Sequence, residues 1–241
     1  MLCICGRGHG GTRIPSKLLH KNGVFMGTRL NQSADLVPPN KMYEAVQYIN
    51  KFVKYKGNYT WDFSYLINNK PDTKFTSLVN EYLKDVLTHR EPKGWKLPES
   101  TFAFPWLVKM FPDIKYIIWS RHPYDSIFSN HLTDNLERWN INIPDKGFGL
   151  KMKRSISWKY QYDMVNCDKQ PKKVLHMKYE DFCMHPKENT KILGYFLKLK
   201  LKPVKTHTNS VYKWKRSDIN FNRFKFLKGP MEELGYDDHT Q

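Results

Sequence analysis

The sequence predicts a single α/β domain, built as a three-layer α/β/α sandwich around a central parallel sheet. Three observations carry that expectation. Short apolar runs alternate with segments of helical periodicity along 241 residues, and strands separated by helices imply a parallel sheet covered on both faces. A glycine-rich turn follows the first apolar run and precedes the first helical segment. No internal repeat or low-complexity linker divides the chain, and the length suits one full core.

The elements follow in order. Met-Leu-Cys-Ile-Cys at residues 1–5 reads as a buried strand. Residues 6–12 are the glycine-rich turn. Residues 13–21 form a helix with Ile14, Leu18 and Leu19 apolar and Pro15 in the first turn, where proline is tolerated. Gly-Val-Phe-Met-Gly at 23–27 is a second short strand. Segments 40–55 and 76–87 carry helical periodicity, and Val79, Tyr82, Leu83, Val86 and Leu87 share a face of the latter. Tyr59, Trp61, Phe63 and Tyr65 alternate at period two; this is either a strand face that stacks on sugars or ordinary core. Residues 95–97 stop at Pro98, and 101–111 is helical although Pro105 interrupts it. Ile-Lys-Tyr-Ile-Ile-Trp at 114–119 is the strongest strand. Helices are expected at 121–132, 155–165 and 186–197, with a strand at 173–177.

The chain carries 40 Lys and Arg against 23 Asp and Glu, a net charge of +17. Residues 151–228 hold 20 of these cations and 6 of the acids, or +14. Such a surplus suits nucleic acid, an anionic membrane surface or a polyanionic small molecule, or simply forms a solvated face. No zinc-finger, helix-turn-helix or RNA-binding aromatic pattern is present, which disfavours nucleic acid. No run of 18 apolar residues exists, so no membrane span is expected. The early glycine loop leaves no place for a signal peptide. Cys3, Cys5, Cys167 and Cys183 are too few and too scattered for a disulfide framework and read as reduced thiols of a cytoplasmic protein. Aromatics at 15% argue for a packed core despite a mean hydropathy of −0.67.

The loop Gly6-Arg-Gly-His-Gly-Gly-Thr12 stands between strand and helix, the setting in which backbone N–H groups and a helix N-terminus hold phosphate. Its spacing matches the Walker A loop, but Thr12 and Arg13 follow Gly11 where that loop needs Lys. The cations are Arg7, His9 and Arg13. A plain glycine turn is the alternative. A second anchor lies at the end of the strongest strand, where open α/β sheets bind ligands. There Arg121-His122-Pro123 is followed by Ser129, eight residues after the Arg and two helical turns along the predicted helix. An Arg and a hydroxyl suit a phosphate group, although Arg-x-Pro also starts ordinary helices.

Together these motifs resemble the sulfotransferases that use 3′-phosphoadenosine 5′-phosphosulfate (PAPS). That family has a P-loop-like architecture, a phosphosulfate loop near the N-terminus, and a strand ending in Arg-Asp/Asn-Pro with Ser eight residues after the Arg. Trp95-Lys96-Leu97-Pro98 is similar to its Lys-x-Pro segment, and Lys178-Tyr179-Glu180-Asp181-Phe182 to its Tyr-Glu-Asp-Leu segment. The likeness covers about residues 1–30 and 93–200. Segments 30–90 and 203–241 fall outside it and are expected to shape the acceptor side. His122 replaces the usual Asp or Asn. The family's Arg-Lys-Gly loop is not found, which leaves Lys213, Lys215, Arg216 or Lys228 as stand-ins.

The resemblance implies that Arg7, Gly8, His9, Gly10, Gly11, Thr12 and Arg13 hold the 5′-phosphosulfate. It implies that Arg121 and Ser129 hold the 3′-phosphate and that Tyr179 lies near the adenine. His9 and Lys96 would donate to the bridging and sulfuryl oxygens, and Glu99 would take the acceptor's proton, with His131 and Asp62 as alternatives. Cationic side chains supply the charge, so no metal is expected. The product would be adenosine 3′,5′-bisphosphate, and the acceptor a hydroxyl, a carbohydrate being favoured. Two other readings compete: a nucleotide kinase, and a non-enzymatic binder of nucleic acid or anionic glycan.

Overall fold

The computed structural model describes residues 1–143 and 147–236. The last five residues of the expected acceptor-side segment 203–241 therefore lie outside the described residues. The strands are β1 (Leu2–Cys5), β2 (Lys54–Gly57), β3 (Thr60–Asp62), β4 (Gly94–Lys96), β5 (Lys115–Ser120) and β6 (Val174–Lys178). The helices are α1 (Arg13–Lys21), α2 (Asn40–Asn50), α3 (Ser64–Asn68), α4 (Thr73–Thr88), α5 (Phe104–Met110), α6 (Pro123–Ser126), α7 (Leu150–Asn166), α8 (Tyr179–Met184), α9 (Pro186–Leu197) and α10 (Lys228–Glu233).

β1 is apolar throughout and all four of its residues are buried, which suits a central strand of a parallel sheet. It pairs in parallel with β4, Leu2 opposite Gly94, and with β5, Leu2 opposite Lys115. β6 adds beyond β5, giving the order β4-β1-β5-β6. Successive side chains alternate between faces. Leu2, Ile4, Ile117 and Trp119 pack with Leu18 and Leu19 of α1, Phe182 of α8 and Leu193 of α9. Cys3, Cys5, Tyr116 and Ile118 pack against α2, α4, α5 and α7. The two cores make the expected three layers.

Several expected elements change length for identifiable reasons. The strand at 23–27 reduces to one bridge, Phe25 with Lys93. α4 begins at Thr73 because the Asp72 side chain accepts from Phe75 N–H at its N-terminus. Pro105 does not interrupt a helix; it sits in the first turn of α5, after a 3₁₀ turn over Pro98–Ala103. The helix expected over 121–132 ends after Ser126, and the chain turns at His131, where a capping box opens a 3₁₀ turn. Only Thr60–Asp62 of the period-two aromatic segment is strand. Trp61 and Phe63 pack on Tyr160 at 4.8 and 5.6 Å, and Tyr65 stacks on Phe52. Trp61 and Phe63 are core, not a sugar platform, while Tyr65 is 42% exposed. The segment after 203 packs as well: Trp214, Phe221, Phe224, Met231 and Tyr236 join Tyr124 and Trp158 in a third cluster.

The topology locates a crevice. β1 leads into α1 on one face of the sheet, while its neighbour β5 leads through α6 to α7 on the other. Connections that diverge from adjacent strands open a crevice at their C-terminal ends.

Candidate active site

The glycine loop turns tightly after β1. Gly10 N–H donates to Arg7 O at 3.0 Å and Ile14 N–H to Gly11 O at 2.9 Å. Trp119 of β5 pins the loop by donating its Nε1–H to Gly10 O at 2.9 Å. Two rings press on the glycines. A Cβ on Gly8 would lie 2.1 Å from the His131 ring, and one on Gly11 would lie 2.3 Å from the Tyr179 ring. Gly11 also holds φ at +91°, a backbone that side chains resist. α1 then starts with no acidic residue in its first turn and no side-chain cap, leaving its positive end to an anion.

The loop faces a cleft of about 710 Å³. Gly8, His9, Gly11, Thr12, Arg13, Lys96, Arg121, Ser129 and Tyr179 line it, so most of the expected set converges. Three expected residues do not line it. Arg7 turns inward and is buried, donating to Asp134 Oδ1 at 2.5 Å, Ser129 O at 3.0 Å and Gly8 O at 3.0 Å. It ties the loop to segment 129–134 instead of facing the cleft, because a buried guanidinium requires a carboxylate partner. Gly10 is taken up by the turn itself. Glu99 is buried, at 2% exposure, and is absent from the cleft lining. Asp62, an alternative base, is also absent from the lining and accepts from Ser64 at the start of α3.

The cleft is strongly cationic. Arg13, Lys17, Lys21, Lys96, Arg121, Lys205 and Lys213 line it, and among the described residues its one carboxylate is Asp35. No motif marks Asp35 in the sequence; it comes from the loop before α2 that the fold brings against β4. Lys96 forms an ion pair with Asp35 and donates to Ser33 O at 2.8 Å. Burial lowers the Lys96 pKa, and the charges of Asp35 and Glu99 oppose that. Burial raises the Glu99 carboxyl to about 7, with Asp35 adding to the rise and Lys96 opposing it. Glu99 Oε2 has no hydrogen-bond partner.

His9 is exposed at the cleft, its ring 5.2 Å from His131. Desolvation lowers its pKa, and Arg7 and Arg13 lower it further. Burial, with Arg7 and His9, holds His131 down at about 3. His131 Nδ1 accepts from Thr133 N–H at 3.2 Å, which assigns its ring proton to Nε2.

Arg121 is buried and oriented from several sides. It donates to Ser210 O, to His9 O at 3.3 Å and to Asp125 Oδ2 at 3.4 Å. Its guanidinium lies 4.4 Å from the centre of the Tyr179 ring. Its buried Nε has no partner. Ser129 reaches the cleft on a loop, not on a helix, and its Oγ accepts from Lys213 Nζ at 3.4 Å. Of the expected stand-in cations, Lys213 lines the cleft; Lys215, Arg216 and Lys228 do not. A second cavity of about 540 Å³ lies along β6 and α9 and shares none of these residues. Among the described residues no group of His, Cys, Asp and Glu is arranged to hold a metal, and no helix is long and apolar enough to cross a membrane.

A sequence profile of the sulfotransferase family matches residues 25–203, a span that begins after the glycine loop. No curated protein matches. The fold is similar to three solved structures. The sulfotransferase domain from the curacin biosynthetic pathway shares 13% identity over 98% of each chain, with a TM-score of 0.63. The sulfotransferase domain from the Synechococcus PCC 7002 olefin synthase shares 15% over 98% of this chain and 94% of that one, with a TM-score of 0.57. A sulfotransferase from Alicyclobacillus acidocaldarius shares 13% over 98% and 96%, with a TM-score of 0.54.

Proposed function

The chain belongs to the sulfotransferase family, and from that premise we propose that it moves a sulfuryl group from PAPS to an acceptor hydroxyl in the cationic cleft. The observation that carries this reading is the meeting, in one cleft, of the loop 8–13 with Arg121, Ser129 and Lys213. An adenosine carrying phosphate at both 3′ and 5′ positions needs two separated anion sites, and this cleft offers two. The glycine cradle and the unpartnered, buried Arg121 Nε both fit such a ligand. Membership in this family sets the kinase and non-enzymatic readings aside.

In this reading backbone N–H groups of the loop and Arg13 hold the 5′-phosphosulfate. Arg121, Ser129 and Lys213 hold the 3′-phosphate, and Tyr179 packs near the adenine. His9 and Lys96 donate to oxygens where negative charge grows as the bridging bond breaks. The acceptor O–H gives its proton to a carboxylate as its oxygen bonds to sulfur, and the electron pair of the broken S–O bond stays on the departing 5′-phosphate. Asp35 takes that proton, because it lines the cleft beside Lys96 whereas Glu99 is buried and does not line it. A carbohydrate hydroxyl is the proposed acceptor.

The test is titration of adenosine 3′,5′-bisphosphate, with labelled PAPS used to screen sugars, phenols and lipids as acceptors. Arg121→Ala is expected to weaken the bisphosphate by about 10-fold or more. His9→Ala is expected to cut turnover far more than affinity. Wild-type protein that ignores the bisphosphate would sink the proposal.

A further inference from the structure

A hydrogen-bonded chain runs behind Arg121 to the C-terminal segment. The Tyr236 hydroxyl lies 3.1 Å from Ser120 Oγ and donates to Glu180 Oε2 at 3.2 Å. Glu180 Oε1 in turn accepts the backbone N–H of His122 at 3.0 Å. Ser120 and His122 are the residues on either side of Arg121. One phenol therefore holds both flanks of the cleft's arginine, one directly and one through a carboxylate.

The phenol is itself fixed. Tyr236 is 4% exposed, and its ring meets the His122 ring edge-on at 5.1 Å. The Lys178 ammonium stands 4.9 Å from the ring and donates to Gly235 O at 2.8 Å. Glu180 is fully buried, and Arg121 is among the charges that act on it. A buried carboxylate deprived of a donor seeks another, and the neighbouring guanidinium is one.

We propose that Tyr236 is a positioning residue for Arg121, and through it for recognition of the donor's 3′-phosphate. Its hydroxyl satisfies Glu180, so that the guanidinium stays turned to the cleft, and it ties down the backbone from which Arg121 projects. This rests on the reading of Arg121 as the 3′-phosphate anchor. Bidentate recognition tolerates little displacement, so a short shift of residues 120–122 removes the contact without disturbing the loop that holds the 5′ end.

The experiment compares two nucleotides that differ only in the 3′-phosphate: adenosine 3′,5′-bisphosphate and adenosine 5′-monophosphate. Tyr236→Phe keeps the ring and removes the hydroxyl. Calorimetry on the full chain is expected to show bisphosphate affinity about 5–10-fold weaker and monophosphate affinity within about twofold of wild type. In an Arg121→Ala background the same change is expected to add nothing. Ser120→Ala is the second variant, with the same direction of effect. A wild-type ratio of the two affinities in both variants overturns the proposal. So does equal weakening of both nucleotides, which is the mark of a general structural role. If the wild-type protein itself shows no preference for the bisphosphate, the donor reading fails first and this inference falls with it.

Discussion

At the scale of single residues, two carboxylates near Lys96 divide the work by where they stand. Asp35 opens on the cleft in an ion pair with Lys96, while Glu99 is buried outside its lining with one oxygen unpartnered. Removal of a group that takes a proton in the transition state costs about 100-fold or more in rate. Asp35→Asn is therefore expected to lower transfer by that factor and to leave bisphosphate affinity within about threefold. Were Glu99→Gln the variant that behaves so, the proton would go to Glu99 instead. Glu99 also leaves a mark on stability. Its folded pKa of about 7 lies above the ordinary glutamate value, so between those values the folded chain binds more protons than the unfolded one. Stability then falls as pH rises through that window, by at most about 3 kcal/mol from this group. Thermal melts from pH 4 to 8 are expected to show that decline in the wild type and to lack it in Glu99→Gln.

At the scale of elements, the glycine loop owes its shape to close approaches from segments distant in the chain. Gly11→Ala would set a methyl against the Tyr179 ring at a backbone angle that alanine avoids. It is expected to weaken the bisphosphate about 10-fold or more in a calorimetric titration; unchanged affinity would remove the loop from the site. Much of this architecture is legible in the sequence, for local reasons. β1 and β5 are apolar runs without helical spacing, and α9 starts at a proline and stops at Lys198 in the left-handed conformation. Elsewhere tertiary contacts decide. The bridge at Phe25 depends on residues 92–94, and the turn after Ser126 depends on the capping box at His131. Nine of the expected site residues reached the cleft because motif spacing encodes a strand end and a loop. The inward turn of Arg7 has no local signal, because its partner Asp134 lies 127 positions away. Asp35, Lys213 and Tyr236 carry no local signature: each matters through what the fold sets beside it.

At the scale of the whole molecule, the charge divides into two populations. Among the described residues the cleft holds seven Lys and Arg against one carboxylate, yet only Lys205 and Lys213 of these belong to the segment 151–228 that carries +14. Most of the surplus is thus spread over surface outside the site, where like charges repel. Added salt then acts in opposite directions on two measurements. From 20 to 200 mM NaCl, Tm is expected to rise by about 2–4 °C as repulsion is screened, while affinity for the bisphosphate falls. A fall in both would mean that attractive pairs dominate the surface. The position of β1 has a consequence for biosynthesis. It is an inner strand of the sheet, with β4 on one side and β5 on the other, yet a ribosome makes it before either neighbour. Leu2 waits for Gly94 and then for Lys115 before its edges are covered. A nascent chain therefore carries a bare apolar strand until β4 and β5 have been made, and long-range parallel pairing forms slowly. Slower translation at reduced temperature, or an added holdase chaperone, should raise the soluble yield of this protein in a heterologous host.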